Sequence, residues 1–168
     1  MTPRSRRSAR ASAGLLLAVS AALLTGCGGG SSPNVTFDVA GNALTAAPTQ
    51  MCDTSMENCT DEPNSRVTAD VPPGTPVRIE VPQEVSSAPW QVAYAFTRGD
   101  DPTPIEQRSD IAAPDSRTEF TLNLPSAEDR LVTAQVQLFG AAPAIDEETE
   151  ELQFPVRATW VLVGEQPS

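Results

Sequence analysis

Histidine and lysine are both absent from this chain of 168 residues. Without histidine there is no Ser-His-Asp or Cys-His relay, no imidazole metal ligand and no ordinary general base near neutral pH. With arginine as the sole cation, the composition points to a coding bias toward GC-rich codons and hence to a high-GC bacterium. Positive charge is scarce too: 11 basic residues face 22 acidic ones, and Arg4, Arg6, Arg7 and Arg10 crowd into the first ten positions. Beyond them seven arginines stand against 22 carboxylates, an excess of fifteen negative charges. Such a surface repels phosphate backbones and anionic headgroups, which excludes nucleic acid as a partner. Aromatic residues are few, five Phe, one Tyr and two Trp, too few for a long sugar-binding cleft. No long hydrophobic run occurs either. The apolar stretch from Ala13 to Leu24 is too short to cross a bilayer core of roughly 30 Å as a permanent helix.

That short stretch has a reading of its own. A basic segment, Arg4-Ser5-Arg6-Arg7-Ser8-Ala9-Arg10, precedes it, and Leu24-Thr25-Gly26-Cys27 closes it. The order is that of a bacterial lipoprotein signal, with cleavage between Gly26 and Cys27 and lipid carried on the Cys27 thiol. An ordinary cleaved signal, or an uncleaved anchor with Cys27 incidental, is the alternative; the spacing of all three parts favours lipidation. Arg6-Arg7 suggests twin-arginine export but lacks the apolar residues expected just after the pair. The expected organisation is a signal peptide over 1–26, the lipidated Cys27 with a flexible Gly- and Ser-rich tether over 27–33, and one folded domain over 34–168. The expected location is the extracytoplasmic face of the cell membrane, with the membrane as a partner through the lipid on Cys27.

Within the domain, apolar residues recur with period two, as on the buried face of a strand. Val35, Phe37 and Val39 form one such set; Val67, Ala69 and Val71 a second; Val77, Ile79 and Val81 a third. Four more follow: Trp90 to Phe96, Phe120 to Leu124, Val132 to Leu138 and Val156 to Leu162. Between them stand turn-formers such as Gly41-Asn42, Pro72-Pro73-Gly74, Gly99-Asp100-Asp101-Pro102 and Pro125-Ser126. No helix of useful length fits. The pattern predicts an all-β domain, an antiparallel β-sandwich of immunoglobulin-like type with about seven strands, and Trp90 and Trp160 as core anchors. A small barrel is the alternative.

Chemistry finds little to work with. Cys52 and Cys59 are the remaining thiols, and outside the cytoplasm they are expected to pair. A loop of that length contributes roughly 2.5 kcal/mol in the chain-entropy account, a local staple. Redox chemistry favours two residues between the cysteines at a helix start, whereas six lie here in a loop-like segment. Zinc would need further ligands that are missing, so neither metal nor cofactor is expected. Asp100-Asp101 and Glu119 could be proposed as paired catalytic carboxylates, but a small acidic protein always holds such pairs, and an enzyme is not expected. The run Asp146-Glu147-Glu148-Thr149-Glu150-Glu151 lacks the alternating ligands and glycine of a calcium loop and reads as a solvated hairpin. Asn34-Val35-Thr36 and Asn58-Cys59-Thr60 match glycosylation acceptors, a match with little weight in a bacterial lipoprotein.

The Cys52 to Cys59 pair, Val71-Pro72-Pro73-Gly74-Thr75-Pro76-Val77, Val81-Pro82-Gln83-Glu84-Val85 and then Ala88-Pro89-Trp90 together resemble a family of actinobacterial membrane-anchored proteins and lipoproteins known only as a domain of unknown function. The resemblance covers most of the chain after Cys27, including Gln153 to Val163 with Arg157 and Trp160. It implies a location and a fold but no activity, cofactor or catalytic residue. The expected role is a protein-interaction or structural module that meets another envelope protein; the alternative is a carrier of a small ligand or lipid between its sheets.

Overall fold

A computed structural model describes residues 32–140, 144–145 and 152–165. Thirteen strands run in chain order: β1 (Val35–Val39), β2 (Asn42–Ala46), β3 (Gln50–Met51), β4 (Thr60–Asp61), β5 (Val67–Ala69), β6 (Val77–Glu80), β7 (Trp90–Arg98), β8 (Asp101–Arg108), β9 (Glu119–Leu122), β10 (Asp129–Phe139), β11 (Ala144–Ile145), β12 (Leu152–Gln153) and β13 (Val156–Gly164). Helix among the described residues is confined to a 3₁₀ turn at Pro63–Ser65 and one α-turn, α1 (Gln83–Ser86). Four strands form one sheet in the order β2-β1-β6-β9; seven form the other, β4-β3-β13-β10-β7-β8 with β5 also on β13. All pairs are antiparallel except β5 with β13. The chain passes from β6 to the facing sheet at β7, returns at β9 and crosses again at β10, the interleaving of an immunoglobulin-like sandwich.

The inner faces of both sheets share one core, in which Trp90, Trp160, Phe37, Ile79, Leu138 and Val136 are fully enclosed. Each of the seven period-two sets marks a strand, although Val71, Val81 and Leu124 lie just past the ends of β5, β6 and β9, and one set changes phase. The alternation places Val132 inward with Ala134, Val136 and Leu138, but the β10–β7 register shifts between Leu131 and Thr133. That bulge sends Leu131 into the core and leaves Val132 half-buried. The same region makes a close backbone approach: a Cβ on Gly164, at the end of β13, would overlap the Leu131 carbonyl oxygen.

Other differences have local causes. The first turn is Ala40-Gly41, not Gly41-Asn42: φ is positive at both residues, 51° and 87°, as a two-residue type I′ hairpin requires, and Val39 pairs with Asn42. β8 begins at Asp101, inside the stretch expected to be turn, and carries Pro102 and Pro104. Every residue of β8 is exposed, and it is an edge strand, where prolines are tolerated and deny a donor to any further strand. β11 and β12 pair with each other, while the acidic run 146–151 between them lies outside the described residues.

One ion pair, with its carboxylate buried and its guanidinium exposed, closes the end of the sandwich away from Trp90. Asp129 is fully enclosed; its carboxylate accepts from Arg98 Nε and Nη2 at 3.0 and 3.2 Å and from the Ser126 amide at 3.0 Å. The Arg98 hydrogen bond, helped by that amide and opposed by burial, holds the Asp129 carboxyl below the ordinary carboxylate range. A group whose pKa is lowered by folding adds stability above its unfolded pKa, about 3.9, and loses it as pH falls through the folded value. Asp129→Asn is therefore expected to lower the denaturation midpoint at pH 7, with the difference closing below about pH 4. A difference that persists unchanged at pH 2 would show that the carboxylate's charge is not what matters.

Candidate functional site

The segment that leads into Trp90 is built around a single helical turn. Pro82 lacks a backbone donor and sits extended at the N-cap of α1, and its carbonyl accepts from the Val85 and Ser86 amides, each at 3.0 Å. Val85 and Ser86 are buried, so α1 plugs the gap between the sheets. Ala88-Pro89 then runs half-buried into β7, and the Pro89 carbonyl accepts from the Phe139 amide at 2.9 Å. Trp90 exchanges backbone hydrogen bonds with Ala112, 3.3 and 2.8 Å, which ties the loop 109–118 to the start of β7. The Arg117 guanidinium lies 5.4 Å from the Trp90 ring centre and 5.3 Å from that of Phe120, with Nη2 donating to the Asp110 carbonyl at 2.8 Å. Trp90 and the residues before it thus close the core and position the loop beside it.

Trp160, on β13, is equally enclosed, but its indole reaches out of the core. Nε1 donates to the Pro33 carbonyl at 2.8 Å. Composition assigns Pro33 to the tether, and the structure holds it half-buried. Because Thr36 pairs with Glu80, β1 starts beside the end of β6 from which residues 82–89 lead to Trp90. The chain just before β1 and the Trp90 segment therefore meet the sandwich at the same end.

The disulfide loop belongs to that end as well. Cys52 and Cys59 are bonded, and the Cys52 amide donates to the Arg157 carbonyl at 2.8 Å, fastening the loop to β13. Inside it, Asp53 accepts from the Ser55 and Glu57 amides, each at 3.0 Å, and from the Asn58 side chain. The Glu57 amide, then Asn58, hold the Asp53 carboxyl below its ordinary range. Every strong acceptor on Asp53 is thus spent on shaping the loop.

Between the loop 109–118 and the ends of β10 and β13 lies an apolar groove of about 270 Å³, lined by Pro89, Ile111, Ala113, Pro114, Phe139 and Phe154. Phe139 and Phe154 meet edge to face at 6.2 Å. Ile111 is 50 % exposed and Phe154 43 %, more than any other large apolar side chain among the described residues. Two larger hollows, about 610 and 560 Å³, open among turn residues at the opposite end and mix charged, polar and small side chains. No deep cavity divides the sheets among these openings; the core is filled by its own side chains.

The residues weighed for catalysis do not converge. Asp101 accepts from the Thr103 amide at 2.9 Å, which lowers its pKa, while Glu119 pairs with Arg78 at 3.5 Å beside Glu80, at the other end of the sandwich. Among the described residues no three His, Cys, Asp or Glu side chains are grouped to hold a metal ion. Cys27 and Gly26 lie outside the described residues. Sequence reasoning found Pro82, Pro89 and Trp90 but missed Ile111, Pro114, Arg117, Phe139 and Phe154. The only linear signal for the groove was Ile111-Ala112-Ala113-Pro114, a short apolar island inside a polar loop.

No curated protein and no solved structure matches the chain. A family model described as a protein of unknown function, DUF2771, matches residues 29–164, from just after Cys27 to the end of β13. The whole sandwich, groove and disulfide loop included, falls within that match, and the chain belongs to the DUF2771 family.

Proposed function

We propose that this protein is a lipid-anchored, extracytoplasmic interaction module, held at the membrane by acyl chains on Cys27 and working through the loop end of its sandwich without catalysis. The observation that carries the reading is the apolar groove with Ile111 and Phe154 half exposed above a filled core. An opening on the surface suits a partner's side chains; a carrier needs space between its sheets. The anchor rests on Leu24-Thr25-Gly26-Cys27 after its basic and apolar segments, and the disulfide fits an oxidising compartment. The actinobacterial setting rests on the arginine-only composition and on the motifs around Trp90.

The test compares the intact protein with Cys27→Ala in fractionated envelopes, with the N-terminal peptide weighed by mass spectrometry and lipids extracted from the purified domain. The expected result is a diacylglyceryl-modified Cys27 in the membrane fraction, release of the variant to the soluble fraction, and no stoichiometric lipid in either domain. A stoichiometric lipid in the Cys27→Ala protein would make it a carrier and overturn the reading.

A further inference from the structure

We propose that the groove formed by Pro89, Ile111, Ala113, Pro114, Phe139 and Phe154 docks a protein segment that bears Arg or Lys beside an apolar side chain. The location of that segment, close to the external face of the membrane, rests on the anchor reading above; its chemistry does not. The groove is lined by apolar side chains alone, so what enters it is apolar. The loop that supplies Ile111, Ala113 and Pro114 to it is acidic: Asp110 and Asp115 bracket Ile111–Pro114 in the chain, both are exposed, and neither carboxylate has an ion pair or hydrogen bond among the described residues. Arg117, in the same loop, forms no ion pair with either: its guanidinium lies over Trp90 and Phe120 and donates to the Asp110 backbone carbonyl. An apolar slot whose loop carries two carboxylates without ion pairs is complementary to an apolar side chain flanked by cations.

The same charges decide against the other occupants. A lipid surface would press Asp110 and Asp115 against headgroup phosphates, and a second copy would bring the same two carboxylates and another eleven net negative charges. Position narrows the partner further. Trp160 fixes the Pro33 carbonyl, and Gly28 to Ser32 alone separate Pro33 from Cys27, a reach of about 17 Å fully extended. Anchored through Cys27, the groove end stays beside the bilayer, within reach of segments that emerge from it.

The experiment places a photo-crosslinking residue at position 111, and separately at 154, in the full chain within its native envelope, with position 105 on β8 as the control. The expected result is a polypeptide adduct at 111 and 154 but not at 105. Its mapped segment should hold Arg or Lys within a few residues of the captured apolar side chain, and the yield should fall roughly threefold or more in Asp110→Asn/Asp115→Asn and in high salt. A phospholipid adduct, a second copy of this chain, an adduct equally strong at 105, a yield unchanged in the double variant, or no polypeptide adduct at either groove position would each overturn the proposal. The two readings fail separately. An unmodified Cys27 with the adduct intact removes the anchor and keeps the groove, whereas a lipidated Cys27 with no adduct removes the groove and keeps the anchor.

Discussion

Gly164→Ala is expected to lower the thermal midpoint by about 10 °C, the effect of roughly 3 kcal/mol on a domain of this size. The added methyl would overlap the Leu131 carbonyl oxygen and crowd its carbonyl carbon, so a backbone, not a flexible side chain, would have to yield. Neither strand is free to move. β13 is held by β10 along one edge and by β5 on the other, where Gly164 pairs with Ala69 and the Glu165 amide donates to the Ala69 carbonyl at 2.9 Å. Gly140→Ala supplies the contrast, because a Cβ there would meet Pro155 and Met56 at ordinary contact distances of 3.5 and 3.6 Å. Thermal melts of the two variants should differ widely. A Gly164→Ala midpoint within a few degrees of the parent would show that the β10 bulge shifts at little cost.

Trp90→Ala should cost roughly 3 to 5 kcal/mol, the range for losing a large buried aromatic side chain. The indole is fully enclosed, braces Ala112 through its backbone and is the surface on which Arg117 stacks, so its removal also loosens the loop that carries Ile111. Trp90→Phe should cost far less than Trp90→Ala, because the indole Nε1 has no hydrogen-bond acceptor among the described residues and phenylalanine deletes that buried donor while keeping most of the ring. Chemical denaturation of both variants measures the two costs. An unchanged midpoint for Trp90→Ala, or equal losses for both substitutions, would contradict a packing role.

The strands that pack the core were legible because burial on one face imposes period two, and each of the seven such sets marks a strand. What escaped were strands with little or no buried face to write a pattern, including β2, where only Ala46 is fully buried and Leu44 packs partly against the core. β8 is exposed throughout and carries two prolines; β3 and β4 have two residues each and are held by their neighbours. The phase change in β10 was invisible for a related reason: an inserted residue is defined by its partner strand, and Val132 and Leu131 are interchangeable as apolar letters. The candidate site was legible only where it coincides with packing, at Pro82, Pro89 and Trp90. The groove draws Ile111 and Phe154 from positions 43 apart in the chain, and their proximity follows from the fold, not from any local pattern.

The place of β13 governs when this chain can fold. It is the last strand, yet β3, β5 and β10 all pair with it, and its Trp160 holds Pro33 at the start of the domain. The sheet β2-β1-β6-β9 has all its strands by residue 122, but β3, β4 and β5 have no sheet to join until residues 156–164 are present, and closing such distant pairs is slow. A chain that stops short of β13 therefore leaves β3, β5 and β10 without their shared neighbour, and the seven-stranded sheet locks only once that strand has been made.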